Sequence, residues 1–225
     1  MVIQIAPSIL SADFGNLQAA MTQVAQADLV HVDVMDGHFV PNLTIGQPVT
    51  KRLAQISPLP LDVHLMIDQP DRWAADYALP GVEAVTFHLE ASLAPVRLAQ
   101  LLRSCGVKAG VAINPGTPVS ALVDIAPHID QILIMGVEPG FSGQDFIEQS
   151  YAKLAQAHQL ATKFDHPITI EIDGGATLQR LARLVGAGAT IVVAGSAIFG
   201  AADPASEVTA FRAALDQLEP DQSGS

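Results

Sequence analysis

The sequence predicts an α/β fold, a single (β/α)₈ barrel with a parallel eight-stranded core. Three observations carry that expectation. Eight short Val/Ile/Leu-rich runs recur along the chain, each near-continuous rather than alternating, as parallel strands covered on both faces require. Longer Ala/Leu/Gln segments of helical character fit between them. The 225 residues divided by eight give about 28 per unit, close to the minimum for such a barrel. An open doubly wound sheet is the alternative, but it rarely needs eight parallel strands and usually carries a recognisable nucleotide loop.

The apolar runs lie at 2–9, 29–34, 59–65, 84–87, 108–113, 131–135, 168–172 and 190–194. Asp13 is placed to cap a first helix to about Ala27, its carboxylate accepting a backbone N–H in the first turn. Further helices are expected at 47–55, 70–77, 93–104, 118–126, 145–161, 177–185 and 204–218. Gly46, Gly106 and Gly186 fall at element boundaries, where a missing Cβ is useful. No linker or low-complexity stretch divides the chain, so residues 1–218 read as one barrel domain. The polar segment EPDQSGS at 219–225 is predicted to be a disordered tail.

Composition narrows the function. Hydrophobic residues make up 49% of the chain, enough for a sizeable core, and charged residues only 15%. The formal net charge of −12, with no cluster of Lys and Arg, argues against nucleic acid and anionic membranes, whose phosphates demand positive charge. One cysteine, Cys105, cannot form an intramolecular disulfide. No run approaches the ~18 apolar residues of a membrane span, and the N-terminal stretch lacks the basic start of a signal peptide. A cytoplasmic protein is the expectation.

A barrel concentrates chemistry at the C-terminal ends of its strands. The second strand ends in His31-Val32-Asp33-Val34-Met35, the third in Asp62-Val63-His64-Leu65-Met66, and the seventh in Glu171-Ile172-Asp173. Side chains two apart share a face, so His31, Asp33 and Met35 point together, as do Asp62, His64 and Met66. A lone His or Asp there is more often a loop cap or a satisfied core group. Three strands converging on the same residue types favour a site. Two His and two Asp make a plausible shell for a divalent cation, Zn²⁺ most naturally, with Fe²⁺, Mn²⁺ and Co²⁺ tolerating the same donors.

Glycine-rich turns follow the last three strands: Gly140-Phe141-Ser142-Gly143, Gly174-Gly175 and Gly195-Ser196. Ordinary turn chemistry explains any one of them. Two of them, after the seventh and eighth strands, fall in the loops where barrels often hold phosphate through backbone N–H groups. There is no Walker A loop and no G-x-G-x-x-G after a strand. None of the four lysines falls at a predicted strand C-terminus, so a Schiff-base aldolase lacks its nucleophile.

With these residues laid out, the chain resembles the ribulose-phosphate 3-epimerase family from Ala6 to Phe199. The resemblance is most specific in HVDVMDGHFVPN (31–42), LDVHLM (61–66), NPGTP (114–118), PGFSGQ (139–144) and IDGG (172–175). It implies that His31, Asp33, His64 and Asp173 bind a metal and that Asp33 and Asp173 are the acid/base pair. Ser8 would contact the substrate near the metal, and Met35, Met66 and Met135 would line the cavity. Gly143, Gly174, Gly175, Gly195 and Ser196 would correspond to the phosphate grip, with Gly140, Phe141 and Ser142 beside them. The implied reaction epimerises C3 of a ketose phosphate, most naturally D-ribulose 5-phosphate to D-xylulose 5-phosphate. The metal would stabilise the enediolate, while one aspartate removes a proton and the other returns one to the opposite face. A homo-oligomer is the expected assembly.

The chain departs from the family pattern at Gly136, Glu138, Ser142 and Ala176. Gly136 replaces a usual hydroxyl residue, and Glu138 adds negative charge near the phosphate loop. A sister epimerase of a hexulose phosphate such as D-allulose 6-phosphate shares the metal and acid/base set. Related barrel decarboxylases resemble D-x-K-x-x-D, where this chain has Met35 in the lysine place. A non-catalytic sugar-phosphate binding protein need not keep both aspartates. His38, His128, His158 and His166 read as surface residues, and His88 as a structural or supporting one. Asp36 and Asp62 lie close enough in sequence to orient the ligands.

Overall fold

The computed structural model describes residues 3–218; the tail expected at 219–225 lies outside them. Eight strands form the barrel: β1 (Gln4–Pro7), β2 (Val30–Met35), β3 (Leu61–Met66), β4 (Val82–His88), β5 (Lys108–Ile113), β6 (Gln131–Met135), β7 (Thr169–Asp173) and β8 (Ile191–Ala194). Each pairs in parallel with its sequence neighbour, and β8 pairs with β1. The ring closes where Ser8 bridges His31 in parallel and the N–H groups of Asp28 and Leu29 donate to the Ile5 carbonyl at 3.1 and 3.3 Å.

The α-helices are α1 (Leu17–Gln23), α2 (Gln47–Ile56), α3 (Pro70–Trp73), α4 (Pro95–Ser104), α5 (Gln149–Ala161), α6 (Leu178–Gly186), α7 (Ser196–Phe199) and α8 (Pro204–Asp216). Four expected helices differ, and that at 70–77 is α-helical only over Pro70–Trp73 before a 3₁₀ turn, Ala74–Tyr77. Asp13 does act as a cap, but of a short 3₁₀ turn, Phe14–Asn16, with α1 beginning at Leu17. Only 3₁₀ turns occupy 118–126, Val119–Leu122 and then Ala126–His128, where Pro127 supplies no backbone donor. The helix expected from 145 begins at Gln149.

The strand alternation separates two cores. Outward residues such as Val30, Val32, Val34, Val63, Val111 and Ile132 pack beneath the helices, joined by Phe211 and Leu215 of α8. Inward positions are partly polar: Asp62, Thr86, Gln131 and Glu171 form a fully enclosed layer below the catalytic end. Gly110 makes room for it, since a Cβ there would overlap Thr86 Oγ1 and sit 2.9 Å from Thr86 Cβ. Gly110→Ala is therefore expected to cost about 1–3 kcal/mol through overpacking, read as a lower denaturant midpoint; an unchanged midpoint would show that the layer yields.

Candidate active site

The C-terminal mouth of the barrel opens into a cavity of about 520 Å³ including its open side. Its lining contains Ser8, Asp33, Met35, Met66, Met135, Gly140, Phe141, Ser142, Gly143, Asp173, Gly174, Gly175, Gly195 and Ser196, so these sequence-predicted residues meet in one place. At its floor His31 Nε2 lies 3.5 Å from Asp33 Oδ1 and 3.8 Å from Asp173 Oδ2. His64 Nδ1 lies 3.4 Å from each of the same two oxygens. His31 and His64 are fully buried, yet His31 Nε2 and His64 Nδ1 have no hydrogen-bond partner.

Those orphaned atoms are the test of a cation site. Donors held at about 2.0–2.1 Å around a tetrahedral ion stand roughly 3.4 Å apart, close to the 3.4–3.8 Å found here. The donor set therefore fits a divalent cation. Without one, burial disfavours the charged imidazole of His64, but the adjacent carboxylates of Asp173 and Asp33 outweigh it and raise its pKa to about 9. His31 is raised well above the usual histidine range against the same burial, by Asp33 and Asp62. Burial favours the neutral form of Asp33, but His31 and His64 overcome it and hold that carboxylate well below its usual range. A cation must displace the imidazolium protons, so its affinity should rise with pH up to about 9. Titration with a metal-sensitive chelator at several pH values checks the sign; flat affinity between pH 6 and 9 would contradict it.

The ligands are supported individually. Ser8 Oγ donates to Asp33 Oδ2 at 2.6 Å, turning Oδ1 toward the histidines. Asp62 Oδ2 lies 2.7 Å from His31 Nδ1; a carboxylate only accepts, so Nδ1 carries a ring proton and Nε2 is the nitrogen whose lone pair a cation would take. Asp36 does not reach the ligands. Its Oδ1 instead accepts the N–H groups of His38 and Phe39, and its Oδ2 that of Asp68, which shapes the loop after β2. Beneath His31, Glu171 is fully enclosed; burial, then the negative charge of Asp62, raises its carboxyl well above the usual range and favours its neutral form. Gln131 Nε2 donates to Asp62 Oδ1 at 3.2 Å and also to Glu171. His31, Asp62 and Glu171 also lie close enough to be considered as ligands, but the 2.7 Å contact marks a hydrogen-bonded cluster.

The rim carries the glycine-rich turns. Gly140, Gly143, Gly174 and Gly175 all adopt positive φ, between 69° and 122°, where a side chain would be strained. Among the described residues, the N–H groups of Gly143, Gly175 and Ser196 find no acceptor in the chain and remain available. No Lys or Arg lines the cavity; Arg180 stands behind it, its Nη1 on the Gly175 carbonyl at 3.3 Å. Glu138 is exposed and outside the cavity lining. A Cβ at Gly136 would overlap the Gly174 carbonyl oxygen and sit 2.9 Å from the Phe146 ring, which explains the absence of a side chain there.

Sequence reasoning missed Thr44 and the working role of Asn42. Thr44 Oγ1 donates to the Asp33 carbonyl at 2.6 Å and accepts the Met35 N–H at 3.0 Å, pinning the end of β2. Asn42 Nδ2 donates to the Gly140 carbonyl at 2.9 Å and ties two rim loops together. His38 and His158 are exposed, while His128 and His166 are half-buried and His166 Nε2 meets the Ile129 carbonyl. Lys153 is buried on α5 and grips the loop after β5 rather than entering the cavity.

Fold and site together define a (β/α)₈ barrel with a buried cluster able to hold a metal beneath a glycine-rich mouth. The chain belongs to the ribulose-phosphate 3 epimerase family, whose model matches residues 4–199. It is 50% identical to ribulose-phosphate 3-epimerase of Mycobacterium leprae over 216 residues, 96% of each chain. Against the Bacillus subtilis enzyme of that name it is 42% identical over 214 residues, 94% of this chain and 99% of the other. Among solved structures, KGPDC from Streptococcus mutans superposes with a TM-score of 0.71 at 15% identity, covering 98% of this chain and 100% of that one. The 3-hexulose-6-phosphate synthase of Salmonella typhimurium gives 0.68 at 17% identity over 96% and 100%. These two share the fold.

Proposed function

We propose that the protein interconverts D-ribulose 5-phosphate and D-xylulose 5-phosphate by moving a proton at C3, with Asp33 and Asp173 as the acid/base pair. The observation that carries this reading is that two carboxylates from separate strands, β2 and β7, flank one pair of buried histidines, with the donor atoms of all four residues within 4.8 Å of one another. Removing the C3 proton of a 2-keto sugar leaves an enolate whose negative charge is delocalised between the C2 oxygen and C3, with the C3 hydroxyl beside it. His31, His64, Asp33 and Asp173 would hold a divalent cation, preferentially Zn²⁺, which would supply Lewis-acid stabilisation of that charge. Asp33, ionised and fixed by Ser8, takes the proton on one face. Asp173, whose side chain is 14% exposed at the cavity edge, delivers one to the other face, and the roles exchange in reverse.

The remaining groups suit that task. Met35, Met66 and Met135 are nearly fully buried and line the cavity; their thioethers are polarisable and offer no competing proton. Gly143, Gly174, Gly175, Gly195 and Ser196 hold the phosphate with backbone N–H groups, as an acidic chain requires. Among the described cavity-lining residues there is no lysine, which disfavours decarboxylation. Incubating the metal-loaded protein with ribulose 5-phosphate in D₂O should place deuterium at C3, followed by NMR. Absence of C3 exchange would defeat the proposal for this substrate.

A homo-oligomer and a cytoplasmic location belong to the same reading. Leu43 and Trp73, 73% and 44% exposed, line a hollow with Ile45, Ile67 and Tyr77, a surface suited to a second copy. The single cysteine, Cys105, is exposed and unpaired at the end of α4, consistent with a reducing compartment. No helix among the described residues is long and apolar enough to cross a membrane. Sedimentation at micromolar concentration tests the assembly; a monomer would overturn it.

A further inference from the structure

Two features of the chain have no part in the chemistry so far: the buried His88 at the end of β4 and the NPGTP loop after β5. We propose that His88, Glu90 and this loop form a positioning relay that fixes the ring orientation and proton of His64. The inference rests on the reading of His64 as a cation ligand through Nδ1.

The geometry runs outward from the cavity. His64 Nδ1 faces Asp33 and Asp173, and its Nε2 lies 2.9 Å from His88 Nε2. Two ring nitrogens at that distance need one donor and one acceptor. If the His64 Nδ1 lone pair serves a cation, its proton is on Nε2, and His88 Nε2 must accept it. The proton of His88 is then on Nδ1, which is buried and has no hydrogen-bond partner within strict geometry. Glu90 Oε2 faces it at 3.4 Å. Glu90 is fixed in turn, since its Oε1 accepts the Asn114 N–H at 2.8 Å and the Thr117 hydroxyl. Lys153 Nζ clamps that loop from α5, donating to the Asn114 and Pro115 carbonyls at 2.7 and 2.9 Å. Phe39 closes the other side of His88, with ring centroids 4.6 Å apart.

The two histidine ligands are thus backed differently, and charge explains why. His31 is oriented by the Asp62 carboxylate. The carboxylates of Asp33, Asp62 and Asp173 already crowd the barrel interior, and a further one directly behind His64 would add uncompensated buried charge. An imidazole in that place orients His64 as a neutral acceptor and moves the charged group one ring outward, to half-exposed Glu90. The bland alternative is that His88 only fills space against Phe39.

Outer partners of metal-bound histidines typically contribute 10–100-fold to metal affinity. His88→Leu keeps the bulk and removes the acceptor; His88→Gln keeps an amide oxygen for His64 Nε2–H. Zn²⁺ affinity by chelator competition and the visible spectrum of the Co²⁺-loaded form are read for both variants and the unmodified chain. The relay predicts at least tenfold weaker Zn²⁺ binding and a changed Co²⁺ spectrum in His88→Leu, recovery to within about threefold in His88→Gln, and a kcat in His88→Leu that largely returns at saturating metal. Equal affinities in all three proteins, or equal losses in both variants, would overturn it. Nitrogen-15 NMR of the unmodified Zn²⁺-loaded protein supplies a readout independent of variant folding: protons on His64 Nε2 and His88 Nδ1 are expected, and a proton on His88 Nε2 would refute the relay. If the unmodified chain binds neither metal, the ligand reading fails instead, which keeps the two failures separate.

Discussion

Asp173→Asn lowers C3 proton exchange by about 10³-fold, within the ~10²–10⁴ range for losing a positioned proton-transfer group, while the barrel stays folded. Asparagine matches aspartate in shape, so the β7 backbone and the 2.6 Å bond from the Gly136 N–H to the Asp173 carbonyl are retained. The amide cannot take or give the proton at C3. Exchange from either epimer should fall together, because each direction uses both carboxylates once. Steady-state rates and D₂O incorporation at saturating Zn²⁺ separate this effect from weakened metal binding. Turnover within tenfold of the unmodified chain would sink the two-carboxylate mechanism.

The second large effect is on stability. Adding Zn²⁺ at about a thousand times its dissociation constant to the metal-free protein stabilises it by about 4 kcal/mol, through binding to the folded state alone. For a chain of this size that corresponds to a rise in Tm of about 8–16 °C. The physical source is local: two buried ring nitrogens without partners face two carboxylate oxygens. The sign with pH is also fixed. Without metal, His64 has a folded pKa of about 9 against an ordinary 6.5, so its contribution is fully present below 6.5 and is lost as pH rises through 9. The stabilisation gained from Zn²⁺ should therefore be larger at pH 9 than at pH 6. Calorimetry with and without chelator measures both, and a Tm indifferent to Zn²⁺ would remove the cation from the site.

Much of the site was legible because strand geometry is local. Period-two alternation in His31-Val32-Asp33 and Asp62-Val63-His64 puts the polar residues on the inner face and the valines on the outer one. Continuous apolar runs and the spacing of about 28 residues per unit yielded eight parallel strands in the right order. Local signals misled where they were weak. Residues 118–126 have helical composition but fold as 3₁₀ turns, and Asp36 sits beside the ligands in sequence while serving backbone N–H groups.

What the tertiary structure alone decided is who meets whom across the barrel. His64 and His88 are 24 residues apart, Asp62 and Gln131 are 69 apart, and no spacing rule links either pair. Their contacts follow from strand register, which places Asp33 beside His64 and Met135 beside Asp173. The net charge of −12 shows the same division. Composition argues against polyanionic partners, but only the folded chain shows that Glu138 lies outside the cavity lining and that backbone N–H groups without acceptors stand at the mouth. A sequence specifies side chains one at a time; the field inside a cavity depends on their separations, and folding sets those.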